Sequence, residues 1–68
     1  MFKVGSIVES RVNAQGLIKG QRYRVLSVSV MRTFLGGYAS YTVEPLDRTI
    51  AAPKNAIGNG HLILSEIE

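Results

Sequence analysis

Cysteine is absent from this chain, and histidine occurs once, as His61. Without cysteine there is no disulfide framework and no thiolate zinc site. The usual staple of a small secreted domain is missing, which favours a reducing compartment. A lone histidine with no cysteine beside it does not make a metal cluster, so no metal is expected. Long apolar runs are also missing. Nothing approaches the ~20 apolar residues of a membrane span, and the start Met1-Phe2-Lys3-Val4-Gly5 has no signal-peptide core. The expectation is a soluble, cytoplasmic protein with no membrane partner.

What is present fits one domain spanning residues 1–68. Hydrophobic residues make up 46% and charged residues 19%, a globular balance. A chain this short hides only about 60% of the surface its unfolded form exposes. Extra burial through a homo-oligomer is therefore expected. Eight Lys and Arg against five Asp and Glu leave a net charge of +3. That surplus suits nucleic acid or an acidic protein as partner, yet it is thin for tight polyanion binding.

Apolar residues alternate over short runs that glycine, Asn-Gly or proline separate, which is the pattern of strands. The first run is 4–12, with Val4, Ser6, Val8, Ser10 and Val12 on one face. Gly16 and Gly20 bracket a loop. The second run, 21–31, puts Tyr23 and Val25 on one face and Arg22 and Arg24 on the other. Leu26, Val28 and Val30 then carry the apolar side. Val25 and Val28 cannot both face inward in a strict two-residue period, so a β-bulge is expected near Val25–Leu26. A turn at 32–37 leads to a third run, 38–44, which Pro45 ends. The composition predicts a fourth strand over 49–52, a single helical or 3₁₀ turn over 53–57, an Asn59-Gly60 turn, and a last strand over 61–67. Five short antiparallel strands in so few residues must hide their edges. The expected fold is all-β, a small five-stranded antiparallel SH3-like barrel. An OB-fold, the competing architecture, normally needs more residues.

The stretch Gly16-Leu17-Ile18-Lys19-Gly20-Gln21-Arg22-Tyr23-Arg24-Val25 resembles the entry into the second strand of SH3-like barrels. That entry reads Gly-hydrophobic-x-x-Gly-x-x-Tyr-x-Val. More loosely, the stretch is similar to the KOW-type motif of ribosomal and transcription-elongation proteins, without their closely spaced basic-glycine pattern. The likeness covers residues 5–28. It implies an SH3-like barrel of the kind common in phages and plasmids.

No chemistry-bearing constellation stands out. None of the serines sits in a Gly-x-Ser-x-Gly elbow, and the carboxylates Glu9, Glu44, Asp47, Glu66 and Glu68 are scattered. His61, just after Asn59-Gly60, reads as a turn or strand-edge residue. Neither catalytic residues nor a cofactor are expected, and the chain reads as a binding module rather than an enzyme. Two surfaces compete. Lys19, Arg22, Arg24 and Arg32, with Tyr38 or Tyr41 exposed beside them, would hold phosphates and stack bases, or meet an acidic partner. The same arginines are also ordinary outer-face residues that cover apolar surface and guard an edge. Phe34 and Leu35 give the turn between the second and third runs an apolar tip, which suits a protein contact and self-association. The protein-contact class is preferred, with nucleic-acid binding as the alternative.

Overall fold

In the computed structural model, residues 2–58 and 60–67 are described, His61 by its backbone only. Five strands form one antiparallel sheet: β1 (Ile7–Ser10), β2 (Arg22–Thr33), β3 (Gly36–Pro45), β4 (Ile57–Gly58) and β5 (Leu64–Ile67). Their order across the sheet is β4-β3-β2-β1-β5. A single helical turn, α1 (Gly60–Ile63), precedes β5 and packs on β3 and β5. Among the described residues no hydrogen-bonded ladder joins β4 to β5. The expected closed barrel is therefore corrected to an open, bent sheet. The physical reason is length: β4 is two residues long and pairs only with β3, through Ser40–Gly58 and Tyr41–Ile57.

Period-two alternation sorts the side chains into faces. Val8, Tyr23, Val25, Val43 and Ile57 are buried on the inner face, joined by Tyr41 and Leu64. Arg22, Arg24 and Glu44 are exposed on the outer face. Among the described residues, Ser10 is the one polar residue buried with the core. Its hydroxyl donates to the Val12 carbonyl at 2.7 Å, so the buried oxygen is satisfied. The expected bulge is there. The ladder passes from Val25–Val43 to Ser27–Thr42, which leaves Leu26 without a cross-strand partner. Leu26 and Val30, expected on the apolar side, are 45% and 53% exposed.

Four expected elements change, among them the helical or 3₁₀ turn over 53–57, which does not form. The first strand shrinks to Ile7–Ser10 because Gly5, at φ 90°, turns the chain before it. Val4 is left out in solvent. Residues 49–52 do not form a strand. The Asp47 carboxylate accepts both the Thr49 amide, at 2.9 Å, and the Thr49 hydroxyl, at 2.6 Å. Those bonds curl the backbone into a turn and hold the Asp47 carboxyl below its ordinary value, the hydroxyl having the larger effect. The fourth strand falls instead at Ile57–Gly58, where part of a helical turn was expected. The last expected strand begins three residues late, because Gly60–Ile63 coil into α1. The expected turn at Asn59 and the side-chain role of His61 lie outside the described residues.

Gln15 holds the loop between β1 and β2 against the sheet. Its side-chain amide donates to the Gly58 carbonyl and accepts the Gly58 amide, both at 3.1 Å. One side chain thus stands in for a neighbouring strand and covers part of the β4 edge. The backbone adopts φ 55° at Gln15 and φ 84° at Gly16, where an added Cβ would come within 3.1 Å of Pro53 Cα. Gln15→Ala should lower stability by ~1 to 2 kcal/mol, the worth of two exposed neutral hydrogen bonds. Urea melts followed by circular dichroism would show it. An unchanged midpoint would mean that the loop needs no anchor.

Candidate protein interface on the distal hairpin

β2 and β3 are by far the longest strands, and their far halves leave the body of the protein. The molecule measures 40 × 22 × 17 Å. β1 covers β2 only at Arg22–Arg24, with two further backbone bonds between Val25 and the Gly5–Ser6 segment. β4 covers β3 only at Ser40–Tyr41. Beyond these points the hairpin is a two-stranded ribbon, and such a ribbon alone in water is marginal.

The ribbon ends in the Phe34-Leu35 turn, whose flanks Thr33 and Gly36 pair with one another. Phe34 is 102% exposed and Leu35 94%. Backbone geometry does not demand these residues. Neither has a positive φ, and Gly36, at φ 132°, takes the unusual conformation. The Thr33 hydroxyl closes the turn by donating to the Gly36 carbonyl at 2.7 Å. Polar residues would serve the turn equally well. Behind the tip, Val30 and Met31 are half exposed on opposite faces, and Tyr38, beside Met31, is 43% exposed.

The expected basic surface is not assembled as one patch. Arg22 and Arg24 share the outer face, as expected. The Arg22 guanidinium lies 3.8 Å from the Glu9 carboxylate in an exposed pair, and Arg24 sits opposite Glu44 in the ladder. Lys19 is exposed in the loop, its backbone amide donating to Asn13 Oδ1 at 2.8 Å. Arg32 lies about 25 Å further along the strand from Arg24 at ~3.3 Å per residue. It also faces the other way, because the extra residue at Leu26 reverses the parity of every later position. Tyr38 shares the face of Arg24 but lies about 20 Å away along β3.

Tyr41 is not a surface residue at all. It is 1% exposed, its ring stands 5.2 Å from that of Phe2, and its hydroxyl accepts the Phe2 amide at 3.3 Å. Of the two tyrosines expected to offer an exposed ring, Tyr38 does so, and the place of Tyr41 on the surface is corrected. Tyr41 is buried in the core with Ile57, its partner in the β3–β4 pairing, and the aromatic on the opposite face is Tyr38.

Sequence reasoning passed over Arg48. It lines an open groove of about 360 Å³ with Arg24, Glu44, Pro45, Leu46, Ile50 and Ala52. Its only sequence signal was a position in the turn after β3. Glu44 adds a carboxylate to this groove, opposite Arg24 in the ladder. Among the described residues no three acidic, His or Cys side chains come together as a metal site, and no helix is long and apolar enough to cross a membrane. No protein-family model, curated protein or solved structure matches the chain.

Proposed function

We propose that the chain is a non-catalytic protein-binding module, built on an open, SH3-like sheet, whose contact element is the distal β2–β3 hairpin. The observation that carries this reading is the full exposure of Phe34 and Leu35 at a turn whose backbone does not need them. Keeping two large apolar side chains in water forgoes ~25 cal/mol per Å² of surface. A partner that covers them recovers it. The SH3-like reading is supported by five antiparallel strands, a bulge that bends the longest of them, and a helical turn packed against strands near both ends of the sheet. The nucleic-acid alternative draws on Arg22, Arg24 and Lys19. Glu9 and Glu44 offset charge on that face, and among the described residues no exposed aromatic stands beside it.

A benzophenone amino acid in place of Phe34, irradiated in a lysate of the source cells, should form protein adducts. The same group at exposed Thr49 should not. In parallel, labelled single-stranded and duplex oligonucleotides titrated at ~50 and ~200 mM salt should show no steep salt-dependent binding. Adducts from neither position, or from both alike, would end the protein-contact reading. So would oligonucleotide binding that Arg22→Ala with Arg24→Ala abolishes.

A further inference from the structure

We infer that the partner of the hairpin is a second copy of this chain, joined edge to edge along β2 by an antiparallel, two-fold pairing of residues 26–32 centred on Ser29. The inference rests on the hairpin being a protein contact, and it names the occupant and the register.

The first ground is the edge itself. Past Val25, no strand and no other backbone partner among the described residues bonds the outer side of β2. Alternate N–H and C=O groups of this stretch therefore point away from β3 with nothing to meet. Natural sheets protect such edges with lysine, proline, inward charges or a covering segment. Here the edge reads Leu26-Ser27-Val28-Ser29-Val30-Met31 before its one charge, Arg32, and holds no proline. Up to Met31 it is uncharged and carries β-branched Val28 and Val30, which is the composition that pairs with another strand.

The second ground is self-complementarity. A two-fold interface sets the same patch against itself, and antiparallel strands are related by a two-fold axis. Centring on Ser29 uses the whole free edge from the bulge to Arg32. It sets Val28 of each copy against Val30 of the other. On the inner face those valines run into Tyr41 and Ala39 of β3, their ladder partners, and form one apolar stripe across four strands. The same register sets Arg32 against Leu26, so the two guanidinium groups sit at opposite ends of the contact, about 20 Å apart at ~3.4 Å per residue. That separation exceeds the screening length of ~8 Å at physiological salt. A register centred on Arg32 would stack them.

The third ground is the tip. Extending the register brings Thr33 to the end of the free edge, where the second copy's Gly5–Ser6 segment already bonds Val25. Phe34 and Leu35 then lie beside the turn where Gly5 of that copy bonds its own Val25. Val4, next in the chain, is 65% exposed there. One occupant thus accounts for the bare edge, the apolar tip and an exposed valine at the far end of the molecule. A paired edge of this length, ~24 Å, together with two tips buries on the order of 1,000 Å², the lower limit of a specific interface. The dimer should accordingly be concentration-dependent.

The absence of cysteine makes the test clean. Ser29 is exposed and lies on the proposed axis, where opposed Cα atoms are ~4.5 to 5.5 Å apart, within disulfide reach. Ser29→Cys should convert mostly to disulfide-linked dimer under mild oxidant. Ser40→Cys sits on the adjacent strand, opposite Ser29 in the ladder. Across the axis its copies would be about 14 Å apart, beyond disulfide reach, so it should stay monomeric on denaturing gels. Sedimentation equilibrium of the parent chain should show a species of twice 7.4 kDa. Val30→Lys, at a half-exposed position, should raise its dissociation constant at least tenfold while leaving the circular dichroism spectrum unchanged.

A dimer that Ser29→Cys fails to trap, or that Val30→Lys leaves within twofold, would overturn the edge pairing. A parent chain that is monomeric at hundreds of micromolar would do the same. If benzophenone at position 34 still labelled other proteins in that case, the protein-contact reading would stand and only the second copy would be lost. If it labelled nothing, both would fall.

Discussion

Tyr23→Ala should leave the chain largely unfolded at room temperature. Tyr23 is fully buried, and its backbone sits between β1 and β3, opposite Val8 on one side and Pro45 on the other. Its hydroxyl accepts the Ile18 amide at 3.0 Å, which ties the loop after β1 to the core. Truncating a buried aromatic costs ~3 to 5 kcal/mol once the cavity is counted. A domain of 68 residues has only ~3 to 10 kcal/mol to lose at 0.05 to 0.15 kcal/mol per residue. Tyr23→Phe separates the ring from the bond. It keeps the packing and removes one acceptor from the amide of a residue that is itself 42% exposed, so water can replace it. Its cost should stay near 1 kcal/mol. Urea unfolding by far-UV circular dichroism distinguishes the two. An alanine variant within 1 kcal/mol of the parent would mean that Tyr23 is not central to the core. A phenylalanine variant as damaged as the alanine would move the weight from ring to hydroxyl.

The same residue shows why parts of this fold were legible. From Arg22 to Val25 a charged or apolar residue stands at every position in strict alternation, so strand and face follow directly. The bulge was legible for a related reason: Val25 and Val28 have opposite parity and both are apolar, and only an extra residue reconciles them. Its consequence for Arg32 was harder to read, because parity after a bulge depends on which residue is extra. That is a property of the ladder, with Leu26 skipped between Val25–Val43 and Ser27–Thr42. Tyr38 and Tyr41 were separable onto two faces, but which one faces inward is decided by pairing with Ile57 and contact with Phe2, both distant in sequence.

Elsewhere local composition pointed the wrong way. Thr49-Ile50-Ala51-Ala52 has strand-like residues, yet the Asp47 side chain captures the Thr49 amide first. Two residues at Ile57–Gly58 are too few to show a period. The apolar run at 61–67 splits into a helical turn and a strand because Gly60 must pass close to Tyr41, a constraint that no local pattern encodes. The tip was visible as an apolar turn. The bare edge of β2 was not, since exposing it required knowing how far β1 extends.

Gly60→Ala carries that last point into an expected measurement with opposed effects. α1 is helical, and alanine is favoured over glycine in a helix by ~1 kcal/mol. Propensity alone therefore forecasts stabilisation. Packing forecasts the reverse. A Cβ at position 60 would lie 2.5 Å from Tyr41 Cδ2 and 3.0 Å from Cε2, well inside van der Waals contact. The Tyr41 ring has little room to yield, because it is 1% exposed, stands against Phe2, and its hydroxyl accepts the Phe2 amide. Overpacking of this kind costs ~1 to 3 kcal/mol, and so tight a contact belongs at the upper end. The packing effect should win by ~1 to 2 kcal/mol, lowering Tm by about 5 to 15 °C in a domain of this size. The two causes separate in a double-mutant cycle with Tyr41→Leu. That change is destabilising alone, but it removes the ring that the new methyl strikes. In its background Gly60→Ala should turn neutral or stabilising as the helix preference reasserts itself. Thermal melts of the four proteins decide the matter. If Gly60→Ala raised Tm in the parent, the close approach of α1 to β3 would be looser than the structure has it. If its effect were the same in both backgrounds, Tyr41 would not be the group it meets.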